Sequence, residues 1–170
     1  MKQIIFRADD RLIHGQVIEG WIKNFNIPSV IIANDAVSAD MIQQTIYRSV
    51  VPPKTTVDFY TTEGFKSDWE NIKNRKGTIL VIFASISDLY DSMALITDDV
   101  YVNIGCIASR THCISVSDTV FLEPDELTKL EELASKWQVH IKKLPWEKDA
   151  TFCDRQPETA DEADPLSKGK

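Results

Sequence analysis

One segment near the amino terminus combines residue types that suit phosphoryl chemistry. It crowds two arginines, two aspartates and a histidine into the stretch Arg7-Ala8-Asp9-Asp10-Arg11-Leu12-Ile13-His14-Gly15-Gln16. Imidazole is a good nucleophile near neutral pH, and a carboxylate on one ring nitrogen sharpens the other. An arginine such as Arg11 offers a planar fork that matches a phosphate. The segment therefore predicts that His14 accepts a phosphoryl group.

The position of His14 favours the same chemistry. It lies at or just before a predicted helix start, where free backbone N–H groups and the helix dipole favour an anion. Gly15 lets the backbone approach a ligand closely. Two plainer interpretations stay open: a capping or solvent-facing histidine, and a salt-bridged turn. A metal site is disfavoured because His112 and His140 sit in distant segments and no second histidine or cysteine is near.

Alternating strands and helices must position this segment. Runs of β-branched and aromatic residues predict strands at 2–7, 29–33, 55–60, 78–83, 100–104, 119–122 and 140–144. Helical spacing predicts helices at 15–25, 38–50, 62–73, from 85 or 87 to 96, and from 124 to about 134. In the second helix the inner side is expected to hold Met41, Ile42, Thr45 and Ile46. The stretch 105–113 is expected to be irregular.

This order of elements predicts the fold. Repeated strand–helix–strand units indicate an α/β class, with a mostly parallel sheet of about seven strands and helices on both faces. Residues 1–152 are expected to form one domain, followed by a disordered acidic tail over 153–170 that has almost no apolar residues. Ligands in such sheets collect at the carboxyl ends of strands. The loops 8–14, 34–37, 60–62, 84–87 and 105–113 are therefore candidates for the site.

A phospho-aspartate receiver also places paired acids after its first strand. It would need an aspartate at the end of the third strand and a lysine at the end of the fifth. Here those ends read Tyr60-Thr61 and Ile104-Gly105, so this alternative fails.

Composition narrows the class of protein. The chain has 170 residues and a formal net charge of -7, with a pI near 4.9, which argues against binding nucleic acid through its phosphates. No apolar run approaches a bilayer's span, and the amino terminus has no secretory signal pattern. The three cysteines, Cys106, Cys113 and Cys153, form no metal-spaced set. Reduced thiols in a cytoplasmic protein are the simplest interpretation.

The His14 segment, continuing through Val17 to Gly20-Trp21, closely resembles the signature of a known family. These are the enzyme IIB subunits of the mannose/fructose/sorbose class of the bacterial phosphoenolpyruvate-dependent sugar phosphotransferase system. Further agreement lies in Val51-Pro52-Pro53, in Asn103-Ile104-Gly105 and in the spacing down to about Pro145. The resemblance covers roughly residues 1–150.

The resemblance implies a transferase that needs no cofactor. A IIA partner's phosphohistidine phosphorylates Nδ1 of His14, which then passes the phosphoryl group to a sugar imported through the membrane partners IIC and IID. The sugar stays open, and so does a homodimer. By position, the resemblance implies roles for a supporting set: Arg11 as phosphate clamp, Asp9 or Asp10 orienting the imidazole or loop, Arg7 tying strand to loop, Ser85 as phosphate ligand or helix cap, together with Gly15 and Gln16.

Residues 106–118 depart from the family pattern. The family usually continues with Gly-Met and a stretch rich in basic residues that ends in Ile-Ser-Lys, whereas here only Arg110 is retained and Asp118 replaces the final lysine. This favours an alternative: a regulatory IIB-like protein that is phosphorylated on His14, signals through protein contacts and donates to sugar slowly or not at all. A small-molecule-binding domain remains a third hypothesis if His14 proves inert.

Overall fold

Among the residues that the structure describes, ten strands build two sheets of unequal size. The structure is a computed structural model that describes residues 3–148, residues 150–151 and residues 158–159. The strands are β1 (Ile4–Ala8), β2 (Ser29–Ala33), β3 (Thr56–Tyr60), β4 (Ile79–Phe83), β5 (Val100–Ile104), β6 (Ile114–Ser117), β7 (Val120–Leu122), β8 (Val139–Ile141), β9 (Ala150–Thr151) and β10 (Glu158–Thr159). The main sheet has the order β3-β2-β4-β1-β5-β8-β9. All of its pairs are parallel except β8 with β9.

Helices cover both faces of the main sheet, as predicted for this α/β class. A π-helix (Val17–Lys23), α1 (Asp35–Ala39) and α2 (Met41–Val50) pack on one face. On the other lie α3 (Thr62–Ser67), α4 (Trp69–Lys73), α5 (Ile86–Asp91) and α6 (Pro124–Lys136). The predicted helix over 62–73 is thus divided at Asp68, and the predicted helix after Ser85 ends in a short 3₁₀ turn, Met93–Leu95.

The central strand β1 joins the two halves of the core. Its side chains alternate, so that Phe6 belongs to the cluster on one face and Ile5 to the cluster on the other. The Phe6 ring meets the rings of Phe83 and Trp69 edge-on, with centroids 5.3 and 5.4 Å apart. Burial on both faces explains why β1, β2 and β4 are almost continuously apolar. It also fixes the carboxyl end of β1, from which the His14 segment leaves.

One predicted strand joins a different sheet. Residues 119–122 were expected in the main sheet, but β7 pairs antiparallel with β6, which the sequence did not predict. Only two residues separate β6 from β7, too few for a crossover between parallel strands. The resulting hairpin, with β10 beside β6, forms the second sheet. The seventh strand of the main sheet is β9 instead.

The predicted inner side of the helix over 38–50 is wrong. The helical conformation is interrupted at Asp40. The Asp40 carboxylate accepts hydrogen bonds from the backbone N–H groups of Ile42 and Gln43, and so it caps the start of α2. Tyr47 is the buried residue of α2. The expected inner residues are all exposed: Met41 (80%), Ile42 (76%) and Ile46 (55%), together with Thr45.

Part of the predicted tail takes up structure. Glu158 and Thr159 pair with Ser115 and Ile114 of β6. The rest of 153–170 lies outside the described residues, so the domain boundary at 152 stays a prediction. Within the part of the chain that the structure describes, no helix is long and apolar enough to cross a membrane.

Candidate functional site

The loop after β1 folds across the carboxyl ends of two neighbouring strands. The N–H of Asp9 donates to the carbonyl of Phe83 at the end of β4, and the N–H of Asp10 donates to the carbonyl of Cys106 after β5. Leu12 adopts a left-handed conformation, with φ of 54°, which a non-glycine residue rarely does. Its buried side chain holds this turn in place. His14 is thereby held at the sheet's carboxyl edge.

Asp9 orients the imidazole of His14. The Nε2 atom lies 3.2 Å from both carboxylate oxygens of Asp9, while the backbone N–H of Gln16 points at Nδ1 across 3.4 Å. The neutral tautomer that satisfies both contacts carries its proton on Nε2 and a lone pair on Nδ1. In this tautomer the lone pair that is available for chemistry lies on Nδ1.

A buried network holds Asp9 in turn. The Arg7 guanidinium donates to Asp9 Oδ2 from Nη2 (2.7 Å) and Nε (3.2 Å), and from Nη1 to the side-chain oxygen of Asn103. The Asn103 amide donates to the carbonyls of His140 (3.1 Å) and Lys142 (3.2 Å). All three side chains are fully buried. The orientation of His14 therefore depends on contacts that reach β5 and the end of β8.

Gly105 leaves room for this network. A Cβ at that position would lie 2.0 Å from Arg7 Nη2 and 2.7 Å from Asp9 Oδ2. Real Cβ atoms do not approach other atoms so closely, so any side chain there would displace the buried ion pair.

Opposing influences set the charge state of the pair. Burial acts to raise the pKa of Asp9, but the hydrogen bond from His14 and the charge of Arg7 outweigh it and lower that pKa. Burial also lowers the pKa of Arg7, against the attraction of Asp9. Asp9 is therefore an anion at neutral pH and can accept a hydrogen bond from the Nε2–H group.

Arg11 lies on the exposed side of the loop. Its Nη2 donates to the side-chain oxygen of Gln16 (2.9 Å) and to Cys106 Sγ (3.2 Å). Neither partner is an anion, and Arg11 forms no ion pair with any residue in 3–148. Its guanidinium can thus bind an incoming phosphoryl group. Burial, with the nearby charge of Asp9, raises the pKa of Cys106, so this side chain stays a thiol.

Three predicted residues make no hydrogen bond to the imidazole among the residues that the structure describes. Asp10 accepts the N–H of Ala108 (2.7 Å) and so ties the loop to residues 105–113; of the two aspartates it is Asp9 that contacts His14. Ser85 caps α5, its hydroxyl accepting the N–H of Asp88 (3.0 Å). At Gly15 a Cβ would meet no atom within 4 Å. The space beside Gly15 is open to a ligand.

The sequence analysis did not assign Asn103 to the site, and it included Gly105 and Cys106 only as part of the candidate loop 105–113. A signal existed, because Asn103 is an amide at the end of a strand otherwise suited to burial. Among the described residues, no group of three or more histidine, cysteine or acidic side chains could hold a metal ion.

Comparison with known proteins settles the family. Residues 3–160 match the family described as "PTS system sorbose subfamily IIB component". The chain belongs to this family. Members of this family are phosphotransferases that act in sugar uptake, and this chain is accordingly a IIB component of the phosphotransferase system.

Individual relatives agree with this assignment. The chain is 30% identical to the sorbose-specific EIIB component of Klebsiella pneumoniae over 133 residues, which are 78% of this chain and 81% of that one. It is 29% identical to the longer mannose-specific EIIAB component of Escherichia coli K12, covering 76% of this chain and 40% of that one. The crystal structure of the IIBSor domain of the K. pneumoniae sorbose permease superposes with a TM-score of 0.79 and 27% identity, over 89% of this chain and 94% of that one.

Proposed function

We propose that His14 is the phosphoacceptor of this IIB component and that its reacting atom is Nδ1. One observation carries the proposal: the buried Asp9 carboxylate contacts Nε2, which leaves the lone pair of the neutral ring on Nδ1. Phosphoryl transfer also needs a nucleophile in a fixed position and a positive charge near the moving group. Asp9 fixes the imidazole, and the guanidinium of Arg11, which forms no ion pair with residues 3–148, supplies the charge.

The first half-reaction takes the phosphoryl group from a IIA partner. The lone pair on Nδ1 attacks phosphorus, the N–P bond of the donor's phosphohistidine breaks, and an N–P bond to His14 forms. Asp9 stabilises the positive charge that develops on the ring because its carboxylate already accepts a hydrogen bond from the Nε2–H group. Arg11 donates hydrogen bonds to the moving phosphoryl oxygens.

The second half-reaction delivers the group to a sugar bound by the IIC and IID membrane partners. A sugar hydroxyl oxygen attacks phosphorus, the bond from phosphorus to Nδ1 breaks, and the hydroxyl proton passes to solvent, so that His14 returns to the neutral ring with its proton on Nε2. The EIIAB relative supports the IIA partnership, since its name joins an A and a B component in one chain. Family membership supports a cytoplasmic site of action. A homodimer stays open.

Labelling tests the acceptor residue. Incubated with phosphoenolpyruvate and the general phosphotransferase proteins, the native protein should acquire an acid-labile, base-stable phosphoryl adduct, and His14→Ala should acquire none. The matched control is His112→Asn, because His112 is exposed and adopts a left-handed φ of 65° that asparagine tolerates. This control should label at the native rate. Labelling of His14→Ala would show that another residue is the acceptor.

A further inference from the structure

A cavity of about 390 Å³ opens beside the phosphoacceptor loop. Its walls come from the loop after β1, from residues that follow β5, from β7 and from the segment after β8. Gln16 joins it to the imidazole, because the Gln16 backbone N–H faces Nδ1 while the same residue lines the cavity. The cavity is thus lined by the residue whose backbone contacts Nδ1.

Two cations line the cavity, Arg11 and Lys143. Among residues 3–148, Lys143 forms an ion pair with Glu147, whose Oε2 accepts the backbone N–H groups of Lys143 (2.9 Å) and Leu144 (3.1 Å). The Lys143 Nζ atom lies 3.8 Å from the other oxygen, beyond hydrogen-bond distance. Arg11 has no carboxylate partner within residues 3–148. Asp10 is the opposing charge, and one of its oxygens is occupied by Ala108 N–H.

Lys143 supplies positive charge that the loop over 105–118 does not provide to the cavity. The arginine of that loop, Arg110, is committed elsewhere, since its guanidinium pairs with Glu126 (2.8 Å) and Glu123 (3.5 Å). The positive charge on this side of the cavity therefore comes from the segment after β8.

The remaining lining suits a polyhydroxylated ligand. Gln16 offers a side-chain amide whose nitrogen forms no hydrogen bond with residues 3–148, Thr119 offers a hydroxyl that already donates to the carbonyl of Gly105, and Phe121 offers an aromatic side chain. Small-ligand sites typically combine an apolar wall with a few such polar groups, in volumes of roughly 300–1,000 Å³.

We propose that this cavity binds a phosphate monoester, the sugar phosphate formed when His14 gives up its phosphoryl group, with Arg11 and Lys143 as the two cations that hold the phosphate. The proposal rests on the proposed function and assigns it an acceptor-side site. Donation to sugar then does not depend on basic residues in the loop over 105–118.

Binding to the unphosphorylated full chain tests the site separately from the labelling of His14. Titration with glucose 6-phosphate, followed by amide NMR shifts, should perturb residues 106–108, 119–121 and 143. Inorganic phosphate should bind at least fivefold more weakly, and glucose should cause no shifts. Lys143→Gln should weaken glucose 6-phosphate binding at least fivefold, because it removes a charged hydrogen-bond donor.

The control is Lys148→Gln. Lys148 is exposed and lines a neighbouring hollow with Asp118, so its replacement should leave the affinity unchanged within twofold. Equal weakening by the two variants would show a diffuse charge effect and overturn the site. Equal affinity for inorganic phosphate and glucose 6-phosphate would overturn the sugar phosphate as ligand. Failure of binding with His14 still labelled would refute this site and leave the phosphoacceptor in place.

Discussion

Asp9 serves two partners with one carboxylate, contacting Arg7 through the core and His14 at the surface. An anion that is buried and paired on both sides is costly to neutralise, because the arginine would then lack its counter-charge. The position of the imidazole and part of the fold's stability therefore depend on the same ionisation.

This gives a pH dependence with a defined sign. The pKa of Asp9 in the folded protein lies below its unfolded value of about 3.9. Its contribution to stability is thus fully present above about pH 4 and is lost as pH falls through the folded pKa. Asp9→Asn should lower the free energy of unfolding at pH 7 by about 3–5 kcal/mol. Urea unfolding between pH 3 and 7 should show a shallower acid decline in the variant; parallel profiles would contradict the coupling.

Arg11 is expected to act through its fork and not only its charge. Arg11→Lys keeps the charge but loses the two-pronged contact with phosphate. The loss of one charged hydrogen bond, about 1.5–3 kcal/mol, should slow phosphoryl transfer about ten- to a hundredfold with Tm unchanged. The control is Arg48→Lys, because Arg48 lies on α2 with its guanidinium over the Phe59 ring. This variant should transfer the phosphoryl group at the native rate. Native kinetics in Arg11→Lys would make Arg11 a surface contact.

Continuous apolar runs predicted strands correctly, whereas the apolar spacing of one helix predicted the wrong inner side. Burial on both faces made β1, β2 and β4 evident from composition. The apolar spacing of the helix over 38–50 predicted an inner side that is exposed in the structure. The Asp40 cap and the stacking of Tyr47 on Phe59, with ring centroids 6.3 Å apart, set this helix in another orientation.

The exposure of α2 makes this correction testable. Ile42→Gln should change the free energy of unfolding by less than about 0.5 kcal/mol, as is usual for an exposed site. Tyr47→Ala, on the same helix, should cost about 3–5 kcal/mol because it empties a buried aromatic site. Chemical denaturation measures both. A large decrease in the free energy of unfolding in Ile42→Gln would show that Ile42 is buried, as the sequence predicted.

Asn103 joins β5 to β8 and to the site. Asn103→Ala leaves Arg7 without one acceptor and leaves the carbonyls of His140 and Lys142 without this donor. The free energy of unfolding should fall by about 1–3 kcal/mol, and labelling of His14 should slow because Arg7 and Asp9 lose their fixed position. Asn71→Ala, an exposed asparagine bonded to Asp68, is the control. Native labelling rates in folded Asn103→Ala would confine Asn103 to a structural role.

Across the whole molecule, the sequence predicted the layered α/β class and the segment that carries His14, since both depend on local patterns. It did not predict the hairpin of β6 and β7 or the contact of Arg7 with Asn103. These pairings join residues far apart or reverse the chain within two residues, and neither hydrophobic period nor composition encodes them. The choice between Asp9 and Asp10 was equally beyond it, because it depends on which side chain turns inward.

Two truncations examine the carboxyl-terminal segment. Ending the chain after Thr159 keeps β10 beside β6, and the composition of 160–170 offers little to bury. This truncation should leave Tm and the labelling of His14 unchanged. Ending it after Phe152 also removes β10 and should lower Tm slightly, by the loss of one two-residue strand. A fall of several degrees in the shorter deletion would show that 160–170 contributes to stability.

The series of contacts from His14 through Asp9, Arg7 and Asn103 ends on the backbone carbonyls of His140 and Lys142. During synthesis, the site can therefore be completed only after this part of the chain has been made. A nascent polypeptide that has not yet emerged past Lys142 has the histidine but lacks the groups that hold Asn103, and through it the ion pair. Long-range pairing of this kind forms late in folding. We therefore expect the ion pair that positions His14 to become fixed only after the chain through Lys142 has left the ribosome.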